Sequence, residues 1–245
     1  TFDPVLTELA YSWFCPPQGT ILDPFAGGSV RGAVAALCGY EYHGHELRKE
    51  QVEANRTQYK IIKPVGSLKQ GIPFGSSEWI IGDSQITLDD APVADFLFSC
   101  PPYADLEVYS KDPADISNMP YEEFLKVYRT IIKKACDKLK DNAFACFVVG
   151  DLRDKAGIYR NFVGDTINAF TDCGLHYYNE GIVVTSTGSL AIRAGRTFRS
   201  TRKLGKTHQN VLLFLNGGEE IKNSDIKKLQ PESDDNPDLI PTHDK

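Results

Sequence analysis

No stretch of this sequence approaches the roughly 18 consecutive apolar residues of a membrane-spanning helix. Nor does a charged-then-apolar leader precede a small-residue cleavage site, so a cytosolic protein with no membrane contact is expected. The six cysteines (Cys15, Cys38, Cys100, Cys136, Cys146, Cys173) form no CxxC pair and no Cys/His ligand spacing. That excludes the common zinc frameworks, and no metal is expected; five of the six lie as reduced core residues and only Cys100 sits in a motif. The Lys-Ser or Lys-Thr pair that ends a triphosphate-binding loop is missing as well. Acidic side chains are absent from residues 187–207. No internal repeat occurs.

What is present suffices for one substantial core: 245 residues, 41% of them hydrophobic, read most simply as one α/β domain. The formal charge of −6 is unevenly spread. Residues 217–245 hold 8 acidic and 4 basic groups and read as an acidic, disordered tail, whereas residues 1–216 are nearly neutral and form the domain. Within that domain the acid-free segment carries Arg193, Arg196, Arg199, Arg202, Lys203 and Lys206 and reads as a mobile basic loop suited to nucleic-acid phosphates.

Buried strands are expected at residues 20–22, 40–47, 79–81, 94–98 and 143–149, with helices at 30–37, 48–59, 121–139 and 159–170 between them. Two further strands, at 182–185 and 211–215, flank the basic loop. Alternating strands and helices imply a mostly parallel sheet covered on both faces. Such sheets bind ligands beyond the carboxyl ends of their strands, where Asp23, Glu46, Asp83, Cys100 and Asp151 fall.

Two segments carry the chemistry. Asp23, Pro24, Phe25, Ala26, Gly27, Gly28 and Ser29 make a strand, a Gly turn and a helix start. Glycine lets backbone approach a ligand closely, the helix amides suit a carboxylate, and Asp23 suits a cationic amino group, which together favour S-adenosylmethionine over a triphosphate. Glu46 holds the strand-end position from which an acid accepts ribose hydroxyls, and Asp83 closes the next strand, where a lone acid also serves as a turn or cap residue. Ser99, Cys100, Pro101, Pro102 and Tyr103 end another strand in a rigid lip. A nucleobase amine is a poor nucleophile because its lone pair is delocalised. Acceptors aimed at its protons make it more pyramidal, and the Pro101 carbonyl with a side chain just before it could supply them while Tyr103 stacks on the base. A base in a duplex must first be flipped out.

These segments, in this order, resemble the amino-group DNA methyltransferases, which modify adenine N6 or cytosine N4. Phe2-Asp3-Pro4-Val5-Leu6 is similar to that family's N-terminal cofactor segment, Asp23 to Ser29 to its Asp-Pro-Phe-x-Gly-x-Gly motif, and Ser99 to Tyr103 to its catalytic Asp/Asn/Ser-Pro-Pro-Tyr motif. Lys206-Thr-His208 running into Val211-Leu-Leu-Phe214 resembles its last strand. The resemblance implies a class I, Rossmann-like methyltransferase sheet of seven strands with an antiparallel last strand. It also implies S-adenosylmethionine at Asp23, Pro24, Phe25, Ala26, Gly27, Gly28, Ser29, Glu46 and Asp83, DNA as partner, and methyl transfer at Ser99 to Tyr103. One departure stands out: Cys100 occupies the place of Asp, Asn or Ser, and a thiol is a weaker acceptor. The Ser99-Cys100 pair is nearer the Thr-Ser form linked with cytosine than the Asp form linked with adenine, which favours cytosine N4. RNA or protein glutamine as substrate, or a non-catalytic DNA- or cofactor-binding module, remain alternatives. No room is left for a large target-recognition domain; only the loop from Ala104 to Met119 and the basic loop are candidates, so specificity is expected to be short or to come from a missing N-terminal segment or a partner chain, and the resemblance implies a bacterial or phage source.

Overall fold

The structure, a computed structural model, describes residues 2–68, 71–104, 109–186, 188 and 190–217. The acidic tail beyond them lies outside the described residues. In chain order the elements are α1 (Pro4–Phe14), β1 (Thr20–Asp23), α2 (Val30–Leu37), β2 (Glu41–Glu46), α3 (Lys49–Ile62), β3 (Ser76–Ile81), α4 (Ser84–Thr87), β4 (Ala94–Ser99), α5 (Tyr121–Cys136), β5 (Leu139–Val149), α6 (Phe162–Thr171), β6 (His176–Val184), α7 (Leu190–Thr201) and β7 (His208–Asn216). The strands form one seven-stranded sheet in the order β3-β2-β1-β4-β5-β7-β6. β1 to β5 run parallel, and β7 lies antiparallel between β5 and β6.

Period-two burial sorts the sheet into two cores. Ile21, Phe96, Phe98, Cys146 and Val148 face α1, α2 and α3, while Leu22, Leu97, Ala145, Phe147 and Val149 face α5 and α6. In α5, Phe124, Tyr128, Ile131, Ile132 and Ala135 recur at helical spacing and are buried, and Glu122 and Glu123 in its first turn oppose Lys133 and Lys134 in its last, matching the helix dipole.

The chain winds outward from β1 to β3 and then returns to place β4 on the other side of β1. The carboxyl ends of β1 and β4 therefore meet at the reversal of strand order, the position where open α/β sheets leave a crevice.

Residues 2–6 lead into α1: the Asp3 carboxylate accepts the Val5 and Leu6 amides as N-cap and Pro4 takes the first helical position. Three expectations are corrected. The basic segment is not a loop through most of its length, because Arg193, Arg196 and Arg199 lie on α7, a helix with no buried residue. β6 begins at His176 rather than residue 182; it is an edge strand, largely exposed, and lacks the apolar alternation of a half-buried one. The helix expected from residue 159 starts at Phe162, since residues 153 and 159 pair in an antiparallel bridge first.

Candidate active site

A cleft of about 960 Å³ opens over the β1 and β4 ends. The sequence that leaves β1 forms its first wall. Gly27 has φ +53°, a conformation costly for other residues, and no atom lies within 4 Å of where its Cβ would stand. Its amide donates to Glu46 Oε2 at 3.0 Å, and its carbonyl accepts from Asn55 Nδ2 at 2.7 Å. β2 can come this close because Gly44 has no side chain; a Cβ there would stand 2.8 Å from that of Ala26 and 2.6 Å from the Tyr42 ring. Glu46 also accepts the Arg48 amide at 3.0 Å and its Nε at 3.3 Å. Asp83, at the end of β3, accepts the Gln85 amide and so caps α4 while still lining the cleft.

Pro24, Phe25, Gly27, Gly28, Ser29, Glu46 and Asp83 all line this cleft, together with Cys100, Pro101, Pro102 and Tyr103. The two motifs thus share one cavity. Three expected site residues do not reach it: Asp23, Ala26 and Ser99 are fully buried. The Asp23 carboxylate, expected to receive a ligand amine, instead accepts Arg31 Nε at 2.6 Å, Tyr42 Oη at 2.7 Å, Ser99 Oγ at 2.6 Å and the Phe25 amide at 3.1 Å. Every polar direction of the carboxylate faces protein. Burial alone would lower the Arg31 pKa, but Asp23 more than offsets this and holds the guanidinium charged. Arg31 also donates to the carbonyls of Phe25 and Ala26, so it grips the motif from beneath. It was invisible as a site residue in the sequence, as was Asn55; neither belongs to a motif.

The Ser99 hydroxyl donates its hydrogen bond to Asp23, which leaves Cys100 as the side chain that faces the cleft. Burial pushes its thiol pKa up, so it stands there neutral. Tyr103 accepts from Gln209 Nε2 of β7 at 2.5 Å and meets the Phe162 ring edge-on with centroids 6.1 Å apart. Burial raises its pKa too, and the phenol keeps its proton. Gln209, which lies between His208 and Val211 of the last-strand segment, is the third residue that sequence reasoning missed, and it stands at the lip.

His45 lies one residue before Glu46. It is 1% exposed, shares a 2.7 Å hydrogen bond between Nδ1 and Thr87 Oγ1, and is pushed by burial down to about 4. Folded His45 is therefore neutral while the unfolded chain takes up a proton below about 6.5. Its contribution to stability is complete above pH 6.5 and is lost as pH falls toward 4, by about 3 kcal/mol. Urea unfolding of wild type and His45→Gln across that range should show the steeper acid loss in wild type; parallel pH slopes would show that His45 is not held neutral.

Of the basic residues, Arg193, Arg196 and Arg199 project from exposed α7. Arg202 and Lys206 line a second, separate cavity, and Lys203 reaches Gly157.

The parallel sheet with its antiparallel β7, and the cleft at the strand reversal, set the architecture. The fold is the class I methyltransferase fold. It is shared with TrmN from Thermus thermophilus (TM-score 0.55, 13% identity, 88% of this chain and 49% of that one). It is shared also with a SAM-dependent methyltransferase from Methanosarcina mazei (0.55, 15%, 87% and 97%) and with magnesium protoporphyrin IX methyltransferase from Synechocystis with SAM bound (0.51, 10%, 87% and 79%). This chain spans about half the length of the Thermus protein. No protein-family model and no curated protein matches the sequence. Among the described residues no helix is long and apolar enough to cross a membrane.

Proposed function

We propose that this protein transfers a methyl group from S-adenosylmethionine to an exocyclic amino group of a base in DNA, with cytosine N4 the favoured target. The observation that carries the reading is the meeting of the two motifs in one cleft, with Tyr103 fixed at its lip by Gln209.

The residues present fit the cofactor. Gly27 and Gly28 leave space where side chains would stand, Glu46 offers a carboxylate to a ribose diol, and Asp83 and Phe25 complete the wall. When bound, S-adenosylmethionine supplies a methyl group on a cationic sulfur. The chain's own part is to hold the acceptor. The Pro101 carbonyl and Cys100 side chain accept from the amine and draw its lone pair out of conjugation, and Tyr103 stacks on the base. The neutral thiol is a weak acceptor, which places most of this work on the rigid carbonyl.

Labelled methyl should pass from S-adenosylmethionine to mixed-sequence DNA, and nucleoside mass spectrometry should find the label on cytosine N4. Label only in RNA or in protein extract would replace DNA by those substrates. Calorimetry provides the other arm: folded protein that does not bind S-adenosylmethionine sinks the enzyme reading. Glu46→Ala should weaken cofactor binding by about tenfold, the scale of one lost hydrogen bond to a charged group; unchanged affinity would remove Glu46 from the cofactor site.

A further inference from the structure

The second cavity, about 500 Å³, is lined by Asp151, Arg153, Tyr159, Arg202, Lys206 and His208 among others. Three permanent cations face one carboxylate, and that carboxylate already accepts the Val163 amide at 3.1 Å. The cations are set by the fold. The Arg153 guanidinium lies 3.8 Å over the Tyr159 ring and donates to the Gly157 carbonyl at 2.9 Å, which fixes its plane. Arg202, in a left-handed conformation with φ +58°, closes the end of α7 and stacks its guanidinium on Phe198. Burial lowers the Lys206 pKa, because its ammonium is drawn in from solvent, while Asp151 opposes the shift.

The cavity adjoins the acceptor lip. Around the place where a Cβ on Gly150 would stand, Lys206 Nζ is at 3.6 Å, Gln209 Cγ at 3.8 Å and Tyr103 Cε1 at 3.9 Å. His208 lines the basic cavity and its neighbour Gln209 the cleft, so β7 forms the partition between them. A base that stacks on Tyr103 brings its sugar and phosphate with it. A planar guanidinium pair and a point-charge ammonium are the groups that recognise a phosphodiester.

Resting on the reading of the cleft as a DNA amino-methyltransferase site, we propose that Arg153, Arg202 and Lys206 form a pocket for a phosphodiester that flanks the flipped nucleotide, and so anchor the base at Tyr103. The pocket is distinct from the arginine face of α7. The α7 arginines neutralise the duplex at a distance; the pocket fixes one phosphate beside the reacting base.

The test compares wild type, Arg202→Glu and the double variant Arg202→Gln/Lys206→Gln. Fluorescence anisotropy measures binding to a mixed-sequence duplex across a salt series, and methyl transfer is followed at saturating DNA. Both variants should bind about tenfold more weakly. Their log affinity against log salt should be shallower by about one, the counterion release of one phosphate, and kcat should fall. Arg202 is exposed, so the single variant serves if the double variant does not fold. Wild type that methylates DNA alongside variants of unchanged affinity, salt slope and kcat overturns the pocket and leaves the methyltransferase reading standing. Wild type that neither binds nor methylates DNA overturns both. Tight binding of inorganic phosphate alone, abolished in the variants while DNA binding is not, assigns the pocket to the free ion and overturns the proposal.

Discussion

Tyr103→Ala is expected to lower methyl transfer to DNA by about 10³-fold and to leave S-adenosylmethionine affinity unchanged. Base stacking on an aromatic is worth about 1–3 kcal/mol, up to roughly 150-fold in rate, and loss of the fixed acceptor geometry adds further. The structure also says what else the alanine removes: the partner of Gln209 Nε2 and the ring against Phe162. Tyr103→Phe separates the two roles. It keeps the stacking face and loses only the hydroxyl contacts, so its rate should fall by about tenfold or less. Single-turnover assays with both variants, calorimetry with the cofactor and an unfolding midpoint check the prediction. Equal losses in the two variants would shift the role from the ring to the hydroxyl, and full activity of the alanine variant would remove the lip from catalysis.

The second large effect is on stability. Asp23→Asn leaves the Arg31 guanidinium buried beside an amide, with the Tyr42 and Ser99 hydroxyls competing for one remaining oxygen. Breaking a buried ion pair by removing one partner costs about 3–5 kcal/mol, a large part of the 5–15 kcal/mol that typically holds a domain folded. Removing both charges, as in Asp23→Asn with Arg31→Met, should cost less than the sum of the single changes, because the uncompensated guanidinium is gone. Urea unfolding of the double-mutant cycle reads the difference directly. A loss below about 1 kcal/mol for Asp23→Asn would mean that the pair does not organise the strand ends.

The fold was legible because its central strands are short apolar runs that stop at Gly, Pro or Asp, and because α5 repeats its apolar residues at helical spacing. The edges were not. β6 is exposed along most of its length and imprints no alternation on the sequence, whereas α7, which buries nothing, does repeat Arg193, Arg196 and Arg199 at helical spacing, a signal the loop reading missed. In the site, the identity of both motifs could be read but not the direction each side chain takes. Asp23 is turned inward by residues 8, 19 and 76 positions away, and no local pattern announces that Arg31, Tyr42 and Ser99 converge on it. Ser99 is the last residue of β4, paired with Phe147, and its hydroxyl turns to Asp23, whereas Cys100 follows the strand and lines the cleft. The missed N-terminus of α1 had a readable signal, an Asp cap followed by Pro at the first helical position.

Backbone groups of the turn after β1 are already committed, among them the Gly27 amide to Glu46, the Gly27 carbonyl to Asn55, and the carbonyls of Phe25 and Ala26 to Arg31. Folding has therefore already removed the conformational freedom that an open glycine turn would lose on meeting a ligand. A ligand entering the cleft would meet a preformed wall, and its contact energy would go into affinity rather than into ordering the chain.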